Sequence, residues 1–226
     1  MDQDIIHVYF MPGLAANPTI FEHIKLPERQ FKIHWMEWQI PEDNETISDY
    51  ALRLSKQITE KHVALLGVSF GGVLVQEMSK YLKLKRLIII SSIKSTHEMP
   101  NRMKIMSVTK AYKLFPASLL GNMDLLAKYA FGETVKKRVE LYKKYLSVTD
   151  PKYINWAVKE MICWKQDKPP ENLIHIHGSL DNVFPYRHIK NCITVNKGTH
   201  IMVLNKYRWF NEHLPQLILE GSDESC

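Results

Sequence analysis

The stretch that decides the fold is Lys61-His-Val-Ala-Leu-Leu-Gly67-Val-Ser69-Phe-Gly71-Gly-Val-Leu-Val-Gln-Glu-Met78. Its first part, His62 to Leu66, is an apolar run of the length of a buried strand. Leu74, Met78 and Leu82 then recur every fourth residue, one face of a helix. Between the two stands Gly67-Val68-Ser69-Phe70-Gly71. A Gly-x-Ser-x-Gly run between strand and helix has the form of a nucleophile elbow. The reason is steric. The serine must sit on a very sharp turn with its hydroxyl lifted out of the sheet, and the flanking glycines let strand and helix approach.

Working outward, the chain before this stretch opens with a strand-like run, Asp4 to Phe10, and a Pro/Gly loop, Met11-Pro-Gly-Leu-Ala-Ala-Asn-Pro18. A second strand is expected over 31–37. Thr46 with Asp49 has the form of a capping box, and Ile47, Tyr50, Ala51, Leu54 and Ile58 trace the helical face behind it. After the elbow, Arg86 to Ser92 is a β-branched run with no polar face, as in a parallel sheet covered on both sides.

From Ile93 the texture becomes helical for about seventy residues. Asp150-Pro151 is an N-cap followed by Pro at the first helical position, and Ile154, Ala157, Met161 and Trp164 continue that helix. Val135, Val139, Tyr142 and Leu146 mark another. Strands resume at Leu173 to His177 and Ile193 to Val195, and one helical stretch from Ile201 to Leu219 closes the chain. The expected fold is α/β: a mostly parallel sheet of about six strands, helices on both faces, and an all-helical insertion. Residues 1–92 and 171–226 form the core, and 93–170 the insertion.

Composition narrows the function. With 226 residues and 45% apolar side chains the chain can bury a real core. No apolar run approaches membrane-spanning length, and the acidic start has no secretory n-region, so no membrane role is expected. Cys163, Cys192 and Cys226 are odd in number, far apart and without partners at metal-ligand spacing. They read as free thiols of a cytoplasmic protein, and no metal or other cofactor is expected. The net charge of +6 is uneven: residues 94–168 hold 15 Lys/Arg against 7 Asp/Glu, and the remainder 15 against 17. The basic residues alternate with apolar ones and match no nucleic-acid module, so nucleic acid is not an expected partner.

Three loops at expected strand ends carry the remaining chemistry. Pro12-Gly13-Leu14 can offer the Leu14 N–H beside that of Phe70 as an oxyanion hole. Asp181, in His177-Gly-Ser-Leu-Asp-Asn-Val-Phe-Pro185, can orient an imidazole. His200, in Gly198-Thr-His-Ile-Met, can take a serine proton and return it to a leaving group. His177 also ends a strand, and is read as structural. The order Ser69, Asp181, His200 is the one associated with this elbow.

On these motifs the chain resembles the α/β-hydrolase family over 4–92 and 172–218. The resemblance implies Ser69 as nucleophile, His200 as base, Asp181 as its partner, backbone donors from Leu14 and Phe70, and 93–170 as a cap. Many members read His-Gly where this chain has Pro12-Gly13, a turn similar to that of acyl thioesterases in the family. The family's first two strands have no counterpart before Asp4. The expected activity is cleavage of a carboxylic ester or thioester with a small apolar acyl or alkyl group. The basic cap makes an anionic small-molecule substrate the sharper expectation. The same triad also serves C–C bond hydrolysis, lyase and cofactor-free peroxidase chemistry, and receptor-like ligand binding with cap movement is a further alternative.

Overall fold

The computed structural model describes residues 5–110 and 144–221. The expected helix over Val135, Val139 and Tyr142 lies outside the described residues. Six strands form one sheet: β1 (Ile6–Met11), β2 (Phe31–Trp35), β3 (Val63–Val68), β4 (Leu84–Ile90), β5 (Leu173–Gly178) and β6 (Ile193–Val195). Their order is β2-β1-β3-β4-β5-β6, and every pairing is parallel. The described helices are α1 (Ile47–Ser55), α2 (Phe70–Met78), α3 (Asn101–Thr109), α4 (Pro151–Cys163), α5 (Met202–Asn205) and α6 (Tyr207–Glu220).

The sequence patterns explain the layers. Every residue of β3 is buried, as both faces of a central parallel strand must be. Helix α1 starts at the Thr46–Asp49 capping box and turns Ile47, Tyr50, Ala51 and Leu54 inward. Helix α4 starts where Asp150 Oδ1 accepts the N–H groups of Lys152 (2.8 Å) and Tyr153 (3.1 Å). It is tied to α1, to the loop before α1 and to α2. Trp156 Nε1 donates to Glu45 O (2.7 Å), Glu160 Oε2 accepts Ile47 N–H (3.1 Å), and Trp164 Nε1 donates to Glu77 Oε1 (2.8 Å). None of the described helices is long and apolar enough to cross a membrane.

Two boundaries differ from expectation. Helix α2 stops at Met78, so Leu82 lies beyond it and only partly packs on the core. The closing stretch is two helices, broken at Lys206, where φ is −117° and ψ is 22°. Pro215 nevertheless lies inside α6.

The order of strands places the site. The chain runs from β1 outward to β2, then returns across β1 to β3. Adjacent connections therefore leave in opposite directions at the carboxyl ends of β1 and β3, the crevice where parallel sheets bind ligands. Met11 pairs with Gly67 there, so the Pro12-Gly13 loop and Ser69 emerge side by side.

Candidate active site

Ser69 follows β3 and precedes α2 with φ 53° and ψ −120°. That backbone is strained for any residue with a Cβ, at a cost of roughly 1–3 kcal/mol. Its surroundings hold it there. Ser69 N–H donates to Ile90 O (2.9 Å), and Ser69 O accepts from Gly72 N (2.9 Å) and the Ser92 hydroxyl (2.7 Å). The glycines are needed for contact. A Cβ on Gly67 would lie 2.3 Å from Gly71 O, and one on Gly71 would lie 2.3 Å from Pro12 O. The elbow is thus pressed against both its own helix and the first loop.

That loop is a tight turn. Ala16 N–H donates to Gly13 O (3.1 Å), and Ala15 takes the left-handed φ of 62°. A Cβ on Gly13 would stand 3.4 Å from Ser69 Cβ, so the turn carrying Leu14 lies directly beside the serine. The Ala16 N–H makes the turn's own bond, which leaves the Leu14 N–H outside it. Phe70 is the first residue of α2, where an N–H has no intrahelical acceptor.

The loops after β5 and β6 are locked together by a second glycine contact. A Cβ on Gly178 would meet Gly198 O at 2.3 Å, and Leu180 N–H donates to Gly198 O at 2.8 Å. This contact sets Asp181 against His200. Asp181 Oδ1 accepts the N–H groups of Val183 (2.8 Å) and Phe184 (2.9 Å), which leaves Oδ2 for His200 Nδ1 at 2.9 Å. His200 Nε2 lies 3.0 Å from Ser69 Oγ. Asp181 is only 3% exposed. Burial alone would raise its pKa, but His200, His177 and the Phe184 N–H together hold the carboxyl below its ordinary value. An ionised aspartate only accepts, so the neutral imidazole carries its proton on Nδ1 and turns the Nε2 lone pair toward the serine hydroxyl. The fold thus brings Ser69, Asp181, His200 and the turn carrying Leu14 to one place.

His177 is closer to this chemistry than its structural reading implied. Its Nε2–H donates to Phe184 O (2.9 Å) and stands 3.6 Å from Asp181 Oδ2. Burial lowers its pKa, which keeps it neutral beside the carboxylate. The signal available in the sequence was the four-residue spacing His177 to Asp181 across a strand end.

A second imidazole–carboxylate group joins His7, near the amino end of β1, and Glu60, just before β3, to His34, the fourth residue of β2. His7, His34 and Glu60 offer one ligand atom each, all within 4.8 Å of one another. Part of their donor set is already used. His7 Nδ1 and His34 Nε2 are 2.9 Å apart, with ring centroids 5.1 Å apart and planes 19° apart. Those values describe two rings edge to edge sharing one proton. Glu60 Oε2 accepts the Tyr9 hydroxyl (2.5 Å) and Thr59 N–H (3.1 Å). A metal would have to displace that shared proton to enter.

By sequence, neither a family model nor a curated protein matches the chain. By structure, it is similar to a carboxylesterase of the ammonia-oxidizing thaumarchaeon Nitrososphaera gargenis, with a TM-score of 0.70 and 14% identity over 97% of this chain and 93% of that one. It is similar to an esterase from Exiguobacterium antarcticum, with a TM-score of 0.68 and 14% identity over 97% and 94%. It is also similar to the type II thioesterase BorB of the borrelidin biosynthetic cluster, with a TM-score of 0.63 and 13% identity over 95% and 93%. What these proteins share with this chain at such identities is the architecture: the chain has the α/β-hydrolase fold.

Proposed function

We propose that the protein is a serine hydrolase that cleaves a carboxylic ester or thioester through an acyl-enzyme. The observation that carries this reading is the string Ser69 Oγ, His200 Nε2, His200 Nδ1, Asp181 Oδ2, with links of 3.0 and 2.9 Å, beginning on a strained turn. Strain at that position costs stability, and backbone outliers of this kind cluster at functional sites.

In the proposed route, Ser69 Oγ attacks the carbonyl carbon while its proton passes to His200 Nε2. Asp181 holds the ring by Nδ1 and stabilises the imidazolium that forms. The carbonyl oxygen becomes an oxyanion and takes the N–H groups of Leu14 and Phe70. The tetrahedral intermediate collapses, and His200 returns the proton to the departing alkoxide or thiolate. Water then attacks the acyl-enzyme, His200 takes one of its protons, and Ser69 is released with the acid product. The route draws on no metal or cofactor. Residues 93–170 act as the cap. The described aromatic side chains there, Tyr145, Tyr153, Trp156 and Trp164, are buried in packing. The net positive charge of the cap steers anionic esters, and raising salt slows their turnover while leaving neutral esters unchanged. Cys163 and Cys192 are free thiols, which supports a cytoplasmic place.

The direct test is hydrolysis of p-nitrophenyl esters of graded acyl length by wild type and Ser69→Ala. The reading expects activity greatest on short chains and lost in the variant. Equal rates in both would overturn it.

A further inference from the structure

Trp38 lies between β2 and α1 and forms no part of the serine, histidine and aspartate string. Its indole is buried and its Nε1–H donates to Gly13 O at 2.8 Å. The ring stacks on Phe70, with centroids 5.1 Å apart and planes 11° apart, and its other contacts include Tyr153 at 5.2 Å. Trp38 therefore touches Phe70, one residue of the proposed oxyanion hole, and the Gly13 carbonyl that precedes the other, Leu14.

Gly13 C=O and Leu14 N–H belong to one planar peptide unit, and the described chain contains no cis bond. In a trans peptide the C=O and N–H bonds point in opposite directions and their dipoles add. A group that fixes the carbonyl fixes the N–H, and a donor on the oxygen also polarises the N–H. The rest of the turn is tied by other partners. Ala15 N–H donates to the Tyr153 hydroxyl (3.3 Å), and Ala15 O accepts Val148 N–H (3.1 Å). Gly13 O itself accepts Ala16 N–H (3.1 Å) from the backbone, and among the described residues Trp38 is its side-chain donor.

We propose that Trp38 is a positioning residue for the oxyanion hole: by holding Gly13 O it sets the direction and donor strength of the Leu14 N–H. The inference rests on the hydrolase reading above. It takes the place, in this chain, of support that a side chain of the Pro12-Gly13 turn cannot give, since neither residue carries a polar side chain.

The experiment compares wild type with Trp38→Phe and with an enzyme carrying β-(3-benzothienyl)alanine at position 38, which exchanges the N–H for sulfur at nearly the same ring size and keeps the stacking on Phe70. Each is assayed for kcat and KM on a short p-nitrophenyl ester and for inhibition by a trifluoromethyl ketone, whose adduct with Ser69 places an oxyanion in the hole. In the benzothienyl enzyme kcat should fall roughly 10- to 100-fold, with KM within about twofold. Inhibition by the ketone should weaken by the same factor as kcat/KM, which a purely structural role would not produce. An active wild type with an unchanged kcat in the benzothienyl enzyme, or a change confined to KM, overturns the role of Trp38 alone. A wild type without esterase activity or ketone inhibition overturns the hydrolase reading and this inference with it.

Discussion

The two ends of the sheet hold similar side chains in opposite conditions. At the carboxyl ends, His200 stands between a buried aspartate and a serine hydroxyl. Toward the amino ends of β1 and β3, His7 and Glu60 meet His34 of β2, but each imidazole uses its nitrogen on the other, and the Tyr9 hydroxyl and Thr59 N–H hold the carboxylate. Residue types do not separate these groups. What separates them is where the second nitrogen is spent and whether the carboxylate is dry. Asp181 is buried with all its contacts on protein, while Glu60 is partly exposed, and its pKa is lowered chiefly by the Tyr9 hydroxyl. The strand order adds the rest: only the carboxyl end has the crevice between β1 and β3.

The sharpest contrast is charge removal at each end. Asp181→Asn should lower kcat/KM by roughly 10³- to 10⁴-fold, because the amide reverses the imidazole tautomer. Glu60→Gln should leave kcat/KM within about twofold. Steady-state kinetics on one ester tests both, and a large loss from Glu60→Gln would break the comparison.

Next in size is the steric lock on the elbow. Gly71→Ala places a methyl 2.3 Å from Pro12 O and 2.6 Å from Met11 O, both backbone atoms of the first loop. We expect a loss of about 3 kcal/mol or more by urea denaturation. A loss below about 1 kcal/mol would mean that the loop does not press on the elbow.

Acid should act on the buried histidines behind Asp181 and His200. Burial, with His177 and Lys94 nearby, holds the His175 pKa well below its ordinary value. The unfolded chain therefore binds the proton first, as pH falls below about 6.5. Stability from this group is present above that pH and is lost as pH falls toward the folded-state pKa, at up to about 1.4 kcal/mol per pH unit. Denaturation of wild type and His175→Leu between pH 7 and 5 measures it. The variant should show the shallower decline, and parallel curves would contradict the assignment.

The smallest effect concerns strain at the serine. Ser69→Ala keeps a Cβ at φ 53°, while Ser69→Gly does not. The glycine variant should be the more stable of the two by about 1 kcal/mol, since relief of strain exceeds the entropy that glycine adds to the unfolded chain. Thermal denaturation of both variants reads it directly.

The parts legible in sequence were those whose chemistry is local. The Thr46–Asp49 box, the Asp150-Pro151 start and the fully apolar β3 each follow from neighbouring residues, and so does the turn at Ser69. Asp181 and His200 were legible only through their order and their places after strands. The contact that sets them together, Gly178 against Gly198, spans two loops. The least legible features were long-range bonds. Nothing near Trp38 in the chain announces its bond to Gly13, and His7 meets His34 only because β1 pairs with β2 in one register. The break at Lys206 was hidden because Met202 and Phe210 continue an apolar spacing that the backbone does not follow.

The central claim is that Ser69 is an activated nucleophile, and covalent labelling tests it most directly. Wild type and Ser69→Ala are treated with a fluorophosphonate and examined by intact mass and peptide mapping. The account predicts one adduct per chain, on the peptide containing Ser69, and none in the variant. A folded wild type that stays unlabelled, or an adduct that persists in Ser69→Ala, would contradict it.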